Sequence, residues 1–163
     1  MTSPAPRPRK KKNLSRSQAR LGAVQALYQM DMAQTDLTAI IDEFKTHRLA
    51  SNGEQEATLH ADPEHFARVL HGVVRRQRDI DPLVDCQLAT GWRLVRIDSI
   101  VRAILRAGVF ELLELTDIPP SVVISEYIEV ANAFFEGEEP KLVNGVLDAL
   151  ARKLRSAELP ERG

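Results

Sequence analysis

The stretch "IDSIVRAILRAGVFELLEL", residues 97–115, constrains the fold most. Ile97, Ile100, Val101, Ile104, Leu105, Val109, Leu112 and Leu113 recur at helical spacing and cover more than one face. A helix apolar over so wide an arc has no face to give to water. It is therefore predicted to lie at the centre, with the other elements packed around it.

The flanking segments carry narrower apolar stripes that suit such neighbours. Ser17–Ala33 is rich in helix formers, with Ala23, Val24, Leu27 and Met30 facing inward. Asp36 is placed to cap a second helix running to Ala50, with Ile40, Ile41 and Phe44 inward. Residues 51–62 have no helical period and read as a surface loop. Asp62-Pro63 restarts a helix, whose stripe is Phe66, Val69, Leu70, Val73 and Val74. Asp81-Pro82 repeats the signal and predicts a further start. Ser121–Glu136 follows, with Val123, Ile124, Tyr127, Ile128, Ala131 and Phe134 inward, and Pro140 opens a last helix. Its inward set is Leu142, Val143, Val146, Leu147, Leu150 and Leu154. β-rich pieces such as "SVVI" sit inside these longer helical patterns. The fold class is all-α, with about six or seven helices in two small subdomains, about 15–90 and 91–155. Residues 156–163 read as a flexible tail.

Charge is distributed unevenly along the 163 residues. Residues 1–20 hold Arg7, Arg9, Lys10, Lys11, Lys12, Arg16 and Arg20 and no acid, a local charge of +7. That leaves 15 of the 22 basic and all 23 acidic side chains in the remainder, a net of −8. Residues 1–14 are predicted to be a disordered basic arm, suited to a polyanion. The Arg75, Arg76, Arg78 group reads as a solvated face, with a secondary phosphate track as the sharper alternative.

Catalytic patterns do not emerge. There is no glycine-rich phosphate loop, no GxSxG and no HExxH or Cys/His metal spacing. The chain is read as a non-enzyme with no cofactor and no metal. His60 and His65 straddle a loop-to-helix boundary and read as solvent-exposed. The single cysteine, Cys86, forms no disulfide within the chain and reads as a buried structural thiol. No apolar run approaches the roughly 18 to 20 residues that span a membrane, and the N-terminus has no apolar signal core. A cytoplasmic location is expected.

The last two predicted helices are more specific. "IPPSVVISEYIEVANAFFEGEEPKLVNGVLDALARKL", residues 118–154, contains "VVISEYIEVAN" and "LVNGVLD". These resemble the "VAINEAIELAK" and "FVNGVLD" signatures of the NusB transcription antitermination family. "ARLGAVQALYQMDM" is similar to that family's first long helix, and "AILRAGVFELLEL" to its central one. The resemblance runs in order from Ser15 to Leu154.

The resemblance implies an all-helical, non-enzymatic, RNA-binding protein. It implies binding to boxA-type single-stranded RNA together with the small-subunit ribosomal protein NusE. It also implies membership of an RNA polymerase antitermination complex active notably in ribosomal RNA transcription. The family's arginine-rich helix start falls on Arg16 and Arg20, behind Lys11 and Lys12. Lys141 keeps a basic character beside "VNG", but Leu142 stands where many members have Phe, and Ser125 where they have Asn. The rings that could stack on bases are Tyr28, Phe134, Phe135 and a few others, each of which also suits core packing. Asn144 is a candidate RNA contact, although a backbone bond within the bundle, with Gly145 allowing close helix approach, weighs more. The expected RNA set is thus Lys11, Lys12, Arg16, Arg20, Tyr28, Phe134, Lys141 and Asn144. Two alternatives stay open: a NusB-like N-terminal fragment of a ribosomal-RNA cytosine methyltransferase, and a protein-only adaptor.

Overall fold

A computed structural model describes residues 8–44, 46, 61–88 and 97–156, with side chains from residue 15 onward. Among them are six helices and no strand: α1 (Pro8–Ala33), α2 (Leu37–Phe44), α3 (Pro63–Gln87), α4 (Ser99–Glu114), α5 (Pro120–Phe134) and α6 (Glu139–Leu154). The expected loop at 51–60, the end of the second predicted helix beyond residue 46, the tail at 157–163 and residues 1–7 lie outside the described residues.

Short polar caps start three of the helices, at Asp36 and Asp62 as the sequence predicts and also at Asp98. Asp36 Oδ2 accepts from the amides of Thr38 and Ala39 at 3.2 and 3.4 Å. Asp62 Oδ1 accepts from Glu64 and His65 at 3.0 and 3.1 Å. Asp98 Oδ1 accepts from Ile100 and Val101 at 2.7 and 3.2 Å. Each bond satisfies an amide that has no partner within its own helix. α5 instead begins with Pro120, and its preceding Pro119 makes no side-chain cap.

Two boundaries differ from expectation. α1 begins at Pro8 rather than near Ser15. Proline at the first helical position already has a suitable φ and needs no amide partner there. α3 continues through Pro82 instead of restarting at Asp81-Pro82. Asp81 does not act as a cap: its two carboxylate oxygens accept from Nε and Nη2 of Arg106, each at 2.9 Å.

α4 is the central element, packed against α1, α3, α5 and α6. Its residues from Val101 to Leu112 are buried except Arg102 and Arg106. The two expected halves share one apolar cluster, from Ala19 on α1 to Ala151 on α6. α3 and α4 approach most intimately at Gly72. A Cβ there would fall 2.0 Å from Cε1 of Phe110, so only glycine admits that ring.

Three apolar assignments are corrected. Val74 and Leu142 are exposed, at 43% and 38%, rather than inward. Cys86 is exposed rather than buried.

Candidate nucleic-acid interface

Among the described residues, a buried charged cluster centres on Glu111. Glu111 lies mid-way along α4 and is fully buried. Arg20 of α1 donates to it twice, Nε to Oε2 at 2.9 Å and Nη2 to Oε1 at 3.0 Å. The Tyr127 hydroxyl of α5 donates to Oε2. His65 Nε2 of α3 lies 3.4 Å from the same oxygen. Burial pushes the Glu111 pKa up, but the close approach of His65 and the bonds from Arg20, with their fields, outweigh this and hold it at about 2. Burial likewise opposes the charge on Arg20, yet Glu111 raises its pKa above the usual arginine value. Burial, then the field of Glu111, pushes the Tyr127 phenol well above its usual range. A buried ion pair of this kind holds only with its bonds satisfied. Here it joins α1, α3, α4 and α5 through one carboxylate.

Arg20 is therefore corrected as an RNA contact. It is 2% exposed and committed to Glu111, with Nη1 a further 3.7 Å from Glu126. Its role is to seat α1. His65, read from sequence as exposed, is 4% exposed. The signal for both lay at position 111, where a carboxylate falls among the apolar residues of α4's buried surface.

The remaining candidates fall into three places. Arg16 lines a cleft of about 540 Å³ between α1 and the start of α5, with Asp117, Ser121, Ser125 and Glu126. Its guanidinium is partly exposed and lies 4.0 Å from Asp62. Ser17 Oγ lies 3.0 and 2.8 Å from the Glu126 carboxylate oxygens, tying α1 to α5 below this cleft. Lys11 and Lys12 belong to the first turns of α1, and their side chains lie outside the described residues.

Tyr28 and Phe134 come together from different helices. Both line a cleft of about 380 Å³ with Gln25, Gln29, Met32 and Ile100. Tyr28 is 37% and Met32 59% exposed, so their apolar surface faces water. Phe134 is half-buried against the core, and its ring lies 6.4 Å from that of Phe135. The sequence reading missed Gln25, Gln29 and Met32. With Tyr28 they stand at i, i+4, i+7 and i+3, a second stripe on α1 beside the core stripe.

Lys141 and Asn144 are exposed one turn apart on α6, beyond the four-residue connection that follows Phe134. Lys141 Nζ lies 3.5 Å from Glu138, a solvated pair. Gly145 beside them meets nothing within 4 Å of a built Cβ. The expected close helix approach there is absent, and Asn144 faces solvent rather than the bundle. Of the other basic group, Arg75 and Arg76 are drawn onto Glu114 at 2.5 and 2.8 Å, and Arg76 also onto Asp79 at 2.9 Å. Carboxylates thus engage two of the three guanidinium groups that a second phosphate track would use.

Comparison with known proteins places this arrangement. Residues 17–152 match the NusB family. The chain is 52% identical over 153 residues to the transcription antitermination protein NusB of Sinorhizobium fredii, covering 94% of this chain and 95% of that one. It is 53% identical over 143 residues to the protein of the same name from Maricaulis maris, covering 88% and 89%. Among solved structures, T. maritima NusB superposes with a TM-score of 0.73 at 28% identity, over 97% of this chain and 98% of that one. The fold also matches a chain from the crystallised complex of antitermination factors NusB and NusE with double-stranded RNA. There the TM-score is 0.71 at 23% identity, over 90% of this chain and 99% of that one.

Proposed function

The chain belongs to the NusB family, and on that premise we propose that it is an RNA-binding transcription antitermination factor. It binds boxA-type single-stranded RNA together with NusE, in the cytoplasm. Through RNA polymerase it supports read-through, notably of ribosomal RNA genes. The protein acts by binding and not by catalysis.

The observation that carries the RNA reading is the cleft where Tyr28 of α1 meets Phe134 of α5. Single-stranded RNA is recognised by unstacked bases lying on exposed rings, with polar groups at the rim to read base edges. This cleft offers both kinds of group. Arg16 and Lys141, with Lys11 and Lys12 upstream, supply phosphate neutralisation at separate points along the strand. The buried Arg20–Glu111–Tyr127 contacts fix α1 against α5, and so hold the two walls in register. A preformed site loses less entropy on binding.

Transcription in vitro across a terminator tests the role. Added with NusE, the protein is expected to raise read-through on a template carrying boxA and not on one with boxA scrambled. Equal read-through on both templates would refute the boxA reading.

A further inference from the structure

Gln29 gives the Tyr28–Phe134 cleft a chemical polarity. Its Nε2 donates to Glu43 Oε2 of α2 at 3.4 Å. A carboxylate can only accept, so this bond fixes which end of the amide is committed. The carbonyl oxygen, Oε1, is the end left for a ligand, and no described residue donates to it. Glu43 is itself exposed and adds acceptor oxygens and negative charge beside the cleft.

We propose that this cleft takes one unstacked base of single-stranded RNA and selects bases bearing an exocyclic amino group, through Gln29 Oε1 held by Glu43. The inference rests on the RNA-binding reading above and deepens it. Charge complementarity names the occupant. Phosphate is repelled by Glu43, so the base and not the backbone enters. At the edge position where adenine and cytosine present an amino donor, uracil presents its O4 acceptor, so an acceptor fixed opposite that position favours the first two. Tyr28 and Met32, already exposed, supply the apolar surface for the base plane, and Phe134 closes the inner wall.

The test uses the full chain and fluorescently labelled ten-nucleotide RNAs. One is uniform in uridine, and three others carry one central adenosine, cytidine or purine riboside in the same background, the last lacking the amino group. A uniform background lets the strand slide until the odd base meets the cleft. Fluorescence anisotropy at fixed salt is expected to show adenosine and cytidine binding about five- to tenfold tighter than uridine or purine riboside, the yield of one net hydrogen bond. In Gln29→Leu that ratio is expected to fall below about twofold while overall binding persists through the rings and phosphate contacts. Glu43→Gln, which frees the amide to turn, is expected to narrow it as well. Circular dichroism confirms that both variants are folded. Equal affinities across the four RNAs, or a ratio unchanged in both variants, would overturn the inference while the RNA-binding reading stands. Binding of none of them would overturn both.

Discussion

Arg20 and Glu111, 91 residues apart in sequence, meet in the interior through two hydrogen bonds of 2.9 and 3.0 Å. Neither side chain is more than 3% exposed. The contact separates two arginines one turn apart on α1: Arg20 turns inward to hold the fold, and Arg16 remains at the surface.

That separation predicts opposite phenotypes. Arg20→Ala leaves Glu111 charged and buried, and should lower unfolding free energy by about 3–5 kcal/mol. Arg16→Ala should change stability by less than about 0.5 kcal/mol and weaken RNA binding with a shallower salt dependence. Urea unfolding beside RNA titration at several salt concentrations checks both. A stable Arg20→Ala protein with weakened RNA binding would reverse the assignment.

Acid should act through the same contact. The folded-state pKa of Glu111 is about 2 against an ordinary 4.5. A depressed carboxylate pKa contributes stability that is fully present above the unfolded value and lost as pH falls towards the folded one. Stability should therefore decline between about pH 4.5 and 2, with on the order of 3 kcal/mol traceable to this group. Urea midpoints measured across that range check it. A flat profile would mean that Glu111 is not held ionised.

Two glycines on helices should respond in opposite directions to alanine. Gly72→Ala drives a Cβ into the Phe110 ring, which α3 and α4 enclose, and should cost about 1–3 kcal/mol or more. Gly145→Ala meets open space and should stabilise by about 0.5–1 kcal/mol through better helix propensity. Thermal unfolding of the two variants beside the parent checks the sign of each.

Removing the rings should weaken RNA binding without dismantling the bundle. Tyr28→Ala exposes little core and should lose about 1–3 kcal/mol of single-stranded RNA affinity. Phe134→Ala should lose a similar amount, together with some stability from its half-buried face. Anisotropy titrations paired with circular dichroism separate the two effects. Unchanged affinity in both variants would remove this cleft from the interface.

The sequence made the architecture legible where one local signal sufficed. Asp36 and Asp62 announce helix starts because a short carboxylate before an apolar period has one good use. The wide apolar arc from Ile97 to Leu115 announces the centre. What stayed hidden depended on partners distant in the chain. Asp81-Pro82 looks like a cap, but Arg106 on another helix claims the carboxylate. Arg20 looks like a surface cation until Glu111 is placed opposite it. At the site, Tyr28 and Phe134 were both legible as rings. Their shared cleft, and the part played by Gln29, needed the packing of α1 against α5 and α2. Residues 118–154 carry the family resemblance most clearly, and residues 17–152 match that family.

The central claim is selective RNA recognition assisted by a ribosomal partner. Its most direct measurement is a titration of the full chain with boxA-type single-stranded RNA and a scrambled strand of equal composition, each with and without NusE. The expected result is tighter binding to the boxA strand, with the preference sharpened by NusE. Equal affinity for the two strands in both conditions would contradict the account.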